Sequence, residues 1–415
     1  MDTNKRVGIL TGGGDVPGLN MCLKSLVYRT CDLGFEPIGV RKGWEGLINY
    51  DPDNPSTYSD HFIELTKNMV RPIDRTPGSF LHSSRMDPRH TPRSLTPEFL
   101  RHSKHEVQDF SKHIARVVER LGYRALIVIG DDDTLLFAAH LSQMGVPIIA
   151  IPKTIHNNIT GTDYTLGFST GLARGVALIH ELRALAGSRE QLVVIETFAA
   201  KSGYSTLLMS FLGGVDRVLI PEVPYDPDTL AYLINQDKRQ TPANYAVMLV
   251  TNGTRPIQEK AEKYSYLLSP DSGSELSQAA DHDRTASVHR VRLSQELLTG
   301  QGLVGSGMIA AQLMAHITGE EVFLQSLTYL LRTGSPDGQD LLGAANFALT
   351  AARLVEDGRY GRMTAFIQEK MWCDVDLLLT TTRAKMVNVD AWYDSQNYKP
   401  KLELIWSVED QGASS

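Results

Sequence analysis

Three polar residues that could take part in chemistry follow the apolar run Ile148–Ile151. Lys153 offers an ammonium group that can act as a point charge for a phosphate oxygen. His156 can accept a proton near neutral pH, but it can also carry a positive charge beside a phosphate. Asn158 can form hydrogen bonds but is a poorer Mg²⁺ ligand than a carboxylate. These residue types could bind an anion, but a lone lysine at a strand end is otherwise an ordinary surface residue, and whether His156 acts as a base stays open.

A glycine-rich turn lies near the start of the chain, where Gly12, Gly13 and Gly14 follow the apolar run Val7–Leu10. Glycines let backbone N–H groups approach a phosphate, and the N-terminus of a following helix favours an anion. A tight turn from strand to helix also needs glycine for structural reasons alone. Both interpretations remain open on these residues.

Acidic residues occupy a similar place after another apolar run, where Asp131, Asp132 and Asp133 stand together. Carboxylates beside bound phosphates are ligands that Mg²⁺ prefers, so the cluster predicts a metal site. The alternative is a solvated acidic loop in which Asp133 or Thr134 caps a helix that starts at Leu135.

Apolar runs rich in β-branched residues recur along the chain, and each is followed by a helical stretch. Such alternation predicts βαβ units and parallel sheets covered on both faces, with ligands at the carboxyl ends of the strands. The clearest runs are Val7–Leu10, Ala125–Ile129, Ile148–Ile151, Leu192–Ile195, Arg217–Ile220 and Tyr245–Val250. The distinctive polar residues of the chain fall at these carboxyl ends.

The composition is that of a globular protein with two cores. A chain of 415 residues exceeds one compact domain, and 42% hydrophobic with 21% charged residues argues against disorder. The net charge of -7 argues against nucleic acid as the main partner. The three cysteines show no spacing typical of a disulfide or a metal site, which suggests free thiols in a reducing compartment. We see no signal-peptide pattern and no stretch apolar enough to span a membrane. These observations predict a cytoplasmic location.

Two stretches interrupt the alternation of strands and helices. The segment from Asp51 to His113 is polar and rich in arginine, and it predicts a long excursion across the mouth of the first domain. The segment from Glu259 to Gln301 is rich in Ser, Asp and Gln and has little apolar periodicity. It predicts a mobile loop or lid.

The motifs together resemble the phosphofructokinase family from about Arg6 to Leu402. Its catalytic segment reads Thr-Ile-Asp-Asn-Asp, so the resemblance places the general base at His156 and a residue beside metal and phosphate at Asn158. A lysine at the position of Lys153 marks family members that use pyrophosphate. The Gly-Gly-Gly-Asp opening suggests the same branch.

The acidic cluster also resembles the pyrophosphate branch, which carries Gly-Gly-Asp-Asp-Thr there. Asp132 and Asp133 match and are the implied Mg²⁺ ligands, whereas Asp131 replaces a glycine. That carboxylate should repel a phosphate unless a metal lies between them. Gly13, Gly14, Arg85 and Lys153 are the implied phosphate-binding residues.

In the second half of the chain the resemblance implies substrate contacts but also losses. Ala199 and Ala200 replace the Gly-Arg pair of the family, and Asn252 replaces a glutamate that holds sugar hydroxyls. Tyr329 and Arg332 are kept, and Arg332 could hold a sugar phosphate. The implied substrate-binding residues are Thr154, Glu196, Lys201, Asn252, Tyr329 and Arg332.

The resemblance implies two Rossmann-like three-layer α/β domains with parallel-rich sheets and a cleft between them. Residues 1–167 with about 332–378 would bind the donor phosphate, and 168–331 with about 379–415 the sugar phosphate. We expect a degenerate homologue that binds a phosphorylated ligand or a partner subunit, with little phosphotransfer. An active pyrophosphate-dependent enzyme and a kinase for another phosphorylated substrate remain alternatives. The family also implies a homo-oligomer or a hetero-oligomer with an active paralogue, without nucleic acid or membrane partners.

Overall fold

The computed structural model of the chain describes residues 5–101, 105–199, 201–267, 291–293, 305–382 and 385–401. The chain divides into two compact units. Unit 1 comprises Met1–Gly171 and Leu331–Lys385, and unit 2 comprises Leu172–Leu330 and Met386–Ser415.

The strands of both units are short and mostly apolar. In chain order they are β1 (Arg6–Thr11), β2 (Glu36–Val40), β3 (Phe62–Glu64), β4 (Thr91–Pro92), β5 (Val107–Gln108), β6 (Ala125–Gly130), β7 (Ile148–Pro152), β8 (Leu192–Thr197), β9 (Arg217–Leu219), β10 (Ala246–Thr251), β11 (Val291–Leu293), β12 (Val322–Ser326), β13 (Arg362–Ile367), β14 (Met371–Asp376), β15 (Tyr393–Asp394) and β16 (Lys399–Pro400).

Helices connect most of these strands. They are α1 (Leu19–Asp32), α2 (Trp44–Asn49), α3 (Tyr58–His61), α4 (Lys67–Val70), α5 (Ser111–Leu121), α6 (Asp132–Gln143), α7 (Phe168–Arg189), α8 (Tyr204–Gly213), α9 (Pro227–Gln240), α10 (Gln258–Lys263), α11 (Ser306–Thr318), α12 (Gly338–Glu356) and α13 (Val389–Trp392).

Unit 1 is built on a seven-stranded sheet in the order β14-β13-β7-β6-β1-β2-β3. Its inner strands are parallel, and only β3 and β14 pair antiparallel at the two edges. Every residue of β6 is buried, as expected for a central parallel strand covered on both faces. Because β1, β6 and β7 are neighbours, the loops that follow them meet at one edge of the sheet.

Unit 2 is built on a five-stranded parallel sheet in the order β11-β12-β8-β10-β9. All residues of β8 and β10 are buried, and these two strands lie side by side. The residues that follow them, including Asn252, therefore meet at the carboxyl edge of this second sheet.

The predicted α/β class with parallel-rich sheets is confirmed, and the six predicted runs coincide with strands to within about two residues. The segment predicted as a loop from Glu259 begins instead as α10. This short helix carries charged residues and no buried apolar face, so apolar periodicity could not reveal it. Residues 268–290 and 294–301 of that segment lie outside the described residues. No helix in the described ranges is long and apolar enough to cross a membrane.

Candidate active site

The glycine-rich turn after β1 has its three N–H groups bonded within unit 1. Gly12 donates to the carbonyl of Ile129 at 3.0 Å, and Gly13 donates to the carbonyl of Ser84 at 3.1 Å. Gly14 donates to Oδ2 of Asp131 at 3.3 Å. The predicted phosphate-binding turn therefore already has an oxygen acceptor at each of these positions.

Asp131 links this turn to α6. It is the N-cap residue, and its Oδ1 accepts hydrogen bonds from the backbone N–H of Thr134 at 3.2 Å and from its hydroxyl at 2.7 Å. The predicted capping by Asp133 or Thr134 is wrong, because α6 begins one turn earlier at Asp132. Asp131 thus holds the start of the helix and the turn with a single carboxylate.

The space beside Gly13 explains why that residue lacks a side chain. Gly13 has a φ of 77°, which L residues rarely adopt. A Cβ atom on Gly13 would lie 1.9 Å from Oδ2 of Asp131. The carboxylate therefore fills the volume on this side of the turn.

Lys153 reaches the same turn from the end of β7. Its side chain is 0% exposed, and its Nζ donates to the carbonyl of Gly14 at 2.5 Å. Burial lowers the pKa of Lys153 to about 8; the guanidinium groups of Arg332 and Arg85 act in the same direction, and the carboxylate of Asp131 acts against it. The ammonium form still dominates at pH 7.

Two guanidinium groups flank Gly14. A Cβ atom on Gly14 would lie 2.7 Å from Nη1 of Arg332 and 3.0 Å from Nη2 of Arg85. Arg332 is 8% exposed and donates from Nη1 to the carbonyl of Asp15 at 3.3 Å. Together with Lys153, these residues place three cationic groups around one glycine, as an anion site requires.

His156 lies against Arg332. Its Nε2 is 3.3 Å from Nη2 of Arg332, and because a guanidinium group has only donors, Nε2 must be the acceptor. The proton of the neutral ring is then on Nδ1, which is buried and has no hydrogen-bond partner among the residues described. Burial, helped by the charges of Arg332 and Arg85 and opposed by Asp131, lowers the pKa of His156 to about 3.

The rest of the predicted catalytic segment is buried. The hydroxyl of Thr154 accepts a hydrogen bond from the backbone N–H of His156 at 3.1 Å, which holds the turn after β7. Asn157 has a φ of 50° and donates from its side chain to the carbonyl of Asp163 at 2.9 Å. Asn158 is buried, and its Oδ1 accepts no hydrogen bond from the residues that the structure describes.

Asp340, in the first turn of α12, is a positioning residue that was not predicted from the sequence. It is 0% exposed and accepts hydrogen bonds from the Tyr164 hydroxyl at 2.5 Å and from the backbone N–H of Gly167 at 2.7 Å. It also accepts from the backbone N–H and the hydroxyl of Thr170, at 2.9 and 2.6 Å. These bonds hold the segment that follows the predicted catalytic residues against the start of α12. No motif marks it, since an aspartate early in a helix is common.

The predicted Mg²⁺ ligands Asp132 and Asp133 lie in the first turn of α6. The part of the chain that the structure covers contains no group of three or more His, Cys, Asp or Glu side chains arranged to hold a metal. Mg²⁺ commonly takes only one or two protein carboxylates and completes its shell with water and substrate phosphates. The carboxylate oxygens of Asp132 and Asp133 are ligands of the type that such a Mg²⁺ site uses.

The predicted substrate residues of unit 2 are differently arranged. Glu196 is buried, and its Oε1 accepts a hydrogen bond from the backbone N–H of Gly307 at 2.9 Å, in the first turn of α11. Burial raises the pKa of Glu196. Asn252 follows β10 and donates its backbone N–H to the carbonyl of Thr197 at 2.9 Å. Lys201 is exposed, and Tyr329 is 73% exposed.

The predicted residues therefore form one cluster in unit 1 and a looser set in unit 2. The cluster contains Gly13, Gly14, Arg85, Lys153, Thr154, His156 and Arg332. Ala200, where the arginine of the family is missing, lies outside the described residues. Ser84 and Asp15, which bond to the cluster through their carbonyls, were not predicted as site residues because backbone acceptors leave no mark in the sequence.

Comparison with known proteins supports the predicted family. The phosphofructokinase family model matches residues 6–355. The chain is 31% identical over 391 residues to the pyrophosphate–fructose 6-phosphate 1-phosphotransferase of Dictyoglomus thermophilum, covering 94% of this chain and 97% of that protein. It is 28% identical over 364 residues to the ATP-dependent 6-phosphofructokinase of Chloroflexus aggregans, covering 87% of each.

A solved structure shows the same fold. The pyrophosphate-dependent phosphofructokinase from Nitrosospira multiformis matches with a TM-score of 0.69 at 13% sequence identity, covering 96% of this chain and 89% of that one. The fold, the motifs and the extent of the sequence matches all indicate the same family. The chain belongs to the phosphofructokinase family.

Proposed function

We propose that this chain binds a phosphorylated small molecule and has little or no phosphotransfer activity. The observation that carries this proposal is the state of His156, which stands where the family has its general base. Its Nε2 lone pair accepts a hydrogen bond from Arg332, and its pKa is lowered to about 3. The nitrogen that would take a hydroxyl proton already accepts from a guanidinium group, so His156 cannot act as the base while that contact is made.

The neighbouring substitution acts in the same direction. Asn158 replaces a second carboxylate with an uncharged amide, so negative charge for a metal is lost as well. Loss of a general base alone typically costs a factor of about 10²–10⁴ in rate. The two losses fall on one catalytic unit and are not expected to multiply.

Ligand binding is supported by the charges that remain around Gly14. Arg332 and Arg85 flank this residue, and the ammonium of Lys153 bonds to its carbonyl. The phosphate of such a ligand would meet Arg332 and Arg85 beside the turn, and guanidinium groups suit phosphate oxygens. Mg²⁺ would arrive with the phosphates and be held by Asp132 and Asp133.

The test is turnover of fructose 6-phosphate with Mg²⁺, measured once with pyrophosphate and once with ATP. We expect a rate well below the usual enzyme range of about 1–10³ per second. Binding is measured separately by calorimetry with fructose 1,6-bisphosphate. Arg332→Ala should weaken that binding at least about tenfold, whereas Arg353→Ala, an exposed arginine of the same unit, should leave it unchanged.

An active pyrophosphate-dependent phosphofructokinase is the second candidate. It is favoured by Lys153 and by the order Asp132-Asp133-Thr134, both of which resemble the pyrophosphate branch. His156 and Lys201 would then have to replace the missing groups. Turnover with pyrophosphate in the usual range would establish this candidate and refute the first.

Assembly is the remaining part of the proposal. A chain that keeps the scaffold of its family while changing its catalytic segment can still act through a neighbouring subunit. Such an effect needs a difference in ligand affinity between two states of the complex. We expect a homo-oligomer or a complex with an active paralogue, and light scattering with and without the co-expressed paralogue tests it. A monomer in both samples would refute this part.

A further inference from the structure

We propose that the carboxylate of Asp131 takes the place of a phosphate oxygen at the glycine-rich turn and keeps inorganic pyrophosphate from binding there. This inference deepens the proposed function and rests on it, since it names the part of the site that no longer accepts a phosphate donor.

The first support is the use of the N–H groups. A phosphate bound at such a turn needs backbone N–H donors that point at it. The groups of Gly12 and Gly13 donate to the carbonyls of Ile129 and Ser84. The remaining one, on Gly14, donates to Asp131. An incoming phosphate would have to displace that carboxylate to gain a donor from these three residues.

The second support is the space beside the turn. Oδ2 of Asp131 lies so close to Gly13 that a Cβ atom there would be 1.9 Å from it. Oδ1 is held by two hydrogen bonds from Thr134, so the side chain is anchored at both oxygens. The carboxylate is therefore fixed in the volume that a phosphate would need.

The third support is electrostatic. Asp131 carries a negative charge beside the cations that would attract a phosphate, and it raises the pKa of Lys153 against the effect of burial. Arg332 and Arg85 lie close to Gly14, whose N–H group donates to the same carboxylate. An internal anion thus neutralises part of the positive field, as a bound phosphate would do.

The sequence alone allowed a second role for Asp131, in which a metal ion lies between the carboxylate and the phosphate. The hydrogen bonds favour the first role, because both carboxylate oxygens already accept protein donors. Gly14 and the two donors of Thr134 together use three of the roughly four lone-pair sites of the carboxylate, which leaves little capacity for a metal. The two roles predict opposite effects when the carboxylate is removed.

The experiment measures binding of inorganic pyrophosphate by calorimetry, with and without Mg²⁺. The main variant is Asp131→Ser, because serine can still cap α6 but is too short to reach Gly14. The matched variant Asp131→Asn keeps the volume and removes the charge. Asp226→Ser, at the N-cap of α9 in unit 2, controls for the exchange of a capping aspartate.

We expect Asp131→Ser to bind pyrophosphate at least about tenfold more tightly than the natural chain, and Asp131→Asn to gain less. Asp226→Ser should bind like the natural chain. Equal affinity of the Asp131→Ser variant and the natural chain would overturn the inference. If Asp131→Ser bound pyrophosphate more weakly than the natural chain when Mg²⁺ is present, but not without Mg²⁺, the inference would also be overturned. Asp131 would then be identified as a metal ligand.

Turnover of fructose 6-phosphate is recorded on the same samples. Turnover by the natural chain would refute the proposed function, whatever the variants bind. An inactive natural chain whose Asp131→Ser variant gains no affinity would refute only the role of Asp131. The two failures are therefore distinguishable.

Discussion

Two aspartates of unit 1 use the same chemistry in different surroundings. Asp340 and Asp131 each accept a backbone N–H group at a glycine turn, from Gly167 and Gly14, and each also accepts from a threonine hydroxyl. Asp340 is 0% exposed, and within the residues described no lysine or arginine forms an ion pair with it. Asp131 is partly exposed and lies beside a group of cations.

The difference shows that hydrogen bonding alone does not decide what a carboxylate does. A fully buried carboxylate with four donors stabilises the fold, because each donor would otherwise be unpaired. A partly exposed carboxylate among cations competes instead with any anion that those cations could bind. We therefore expect loss of Asp340 to change stability and loss of Asp131 to change ligand binding.

The largest expected effect is the destabilisation caused by Asp340→Ala. The substitution leaves the Tyr164 hydroxyl and the N–H groups of Gly167 and Thr170 without their acceptor. We expect the free energy of unfolding to fall by about 3–5 kcal/mol, since unpaired buried donors are costly and their effects are not additive. Urea unfolding followed by circular dichroism measures it.

The control for this prediction is Asp60→Ala, which removes an exposed aspartate from unit 1. We expect its effect to stay within about 0.5 kcal/mol, as for surface substitutions in general. If Asp340→Ala behaved like this control, the contrast between the two carboxylates would be lost.

The second prediction concerns catalysis and the cluster around Asp131. Restoring both family carboxylates, with His156→Asp and Asn158→Asp, should raise turnover of fructose 6-phosphate by a factor of about 10²–10⁴. The rate should still stay below the usual enzyme range, because Asp131 and Asn252 remain in place. A coupled assay measures turnover by the natural chain and by the double variant. Turnover by the double variant within the usual enzyme range would contradict the prediction.

The third prediction is a pH dependence caused by His156. Its pKa is lowered to about 3 in the folded chain, whereas the unfolded chain has the ordinary value near 6.5. Between these values the unfolded chain binds more protons, so stability decreases as pH falls from about 6.5 towards 3. His156→Gln removes this titration while keeping a neutral side chain.

We expect the glutamine variant to lose less stability on acidification, with a slope lower by at most about 1.4 kcal/mol per pH unit, the value for one proton. Urea unfolding at pH 6.5, 5.5 and 4.5 gives the two slopes. Parallel pH profiles would show that His156 titrates as it does in the unfolded chain, contrary to this prediction.

Strand positions could be predicted from the sequence because central strands are continuous apolar runs. Ala125–Ile129 and Ile148–Ile151 illustrate this, since both become fully buried strands of the unit 1 sheet. The edge strand Met371–Asp376 is only partly buried and carries Cys373 and two aspartates. Its apolar run ends at Cys373 and only Val375 is β-branched, so the strand lacks the continuous β-branched run that marks the central strands.

The members of the site could also be predicted in part, because strand ends in a parallel sheet meet at one edge. The sequence placed Lys153 and Asp131 near the glycine-rich turn, but it could not show that Asp131 bonds to Gly14. Nor could it show that Arg332 uses the lone pair of His156. Such contacts join residues more than a hundred positions apart and depend on side-chain direction, which has no sequence period.

The smallest expected effect is the stability change caused by Asp131→Ala, and it tests the contrast with Asp340 most directly. Alanine removes the N-cap of α6, which typically costs about 1 kcal/mol. The N–H group of Gly14 loses its acceptor as well, but Asp131 is only partly buried, so water can replace it. We therefore expect a loss of about 1 kcal/mol, several-fold less than for Asp340→Ala, in the same urea titration.

Asp131→Ser should recover most of this lost stability, because serine can cap α6 again. A loss for Asp131→Ala as large as that for Asp340→Ala would mean that both carboxylates hold the fold, and the exclusion of phosphate would then be a by-product of a structural bond.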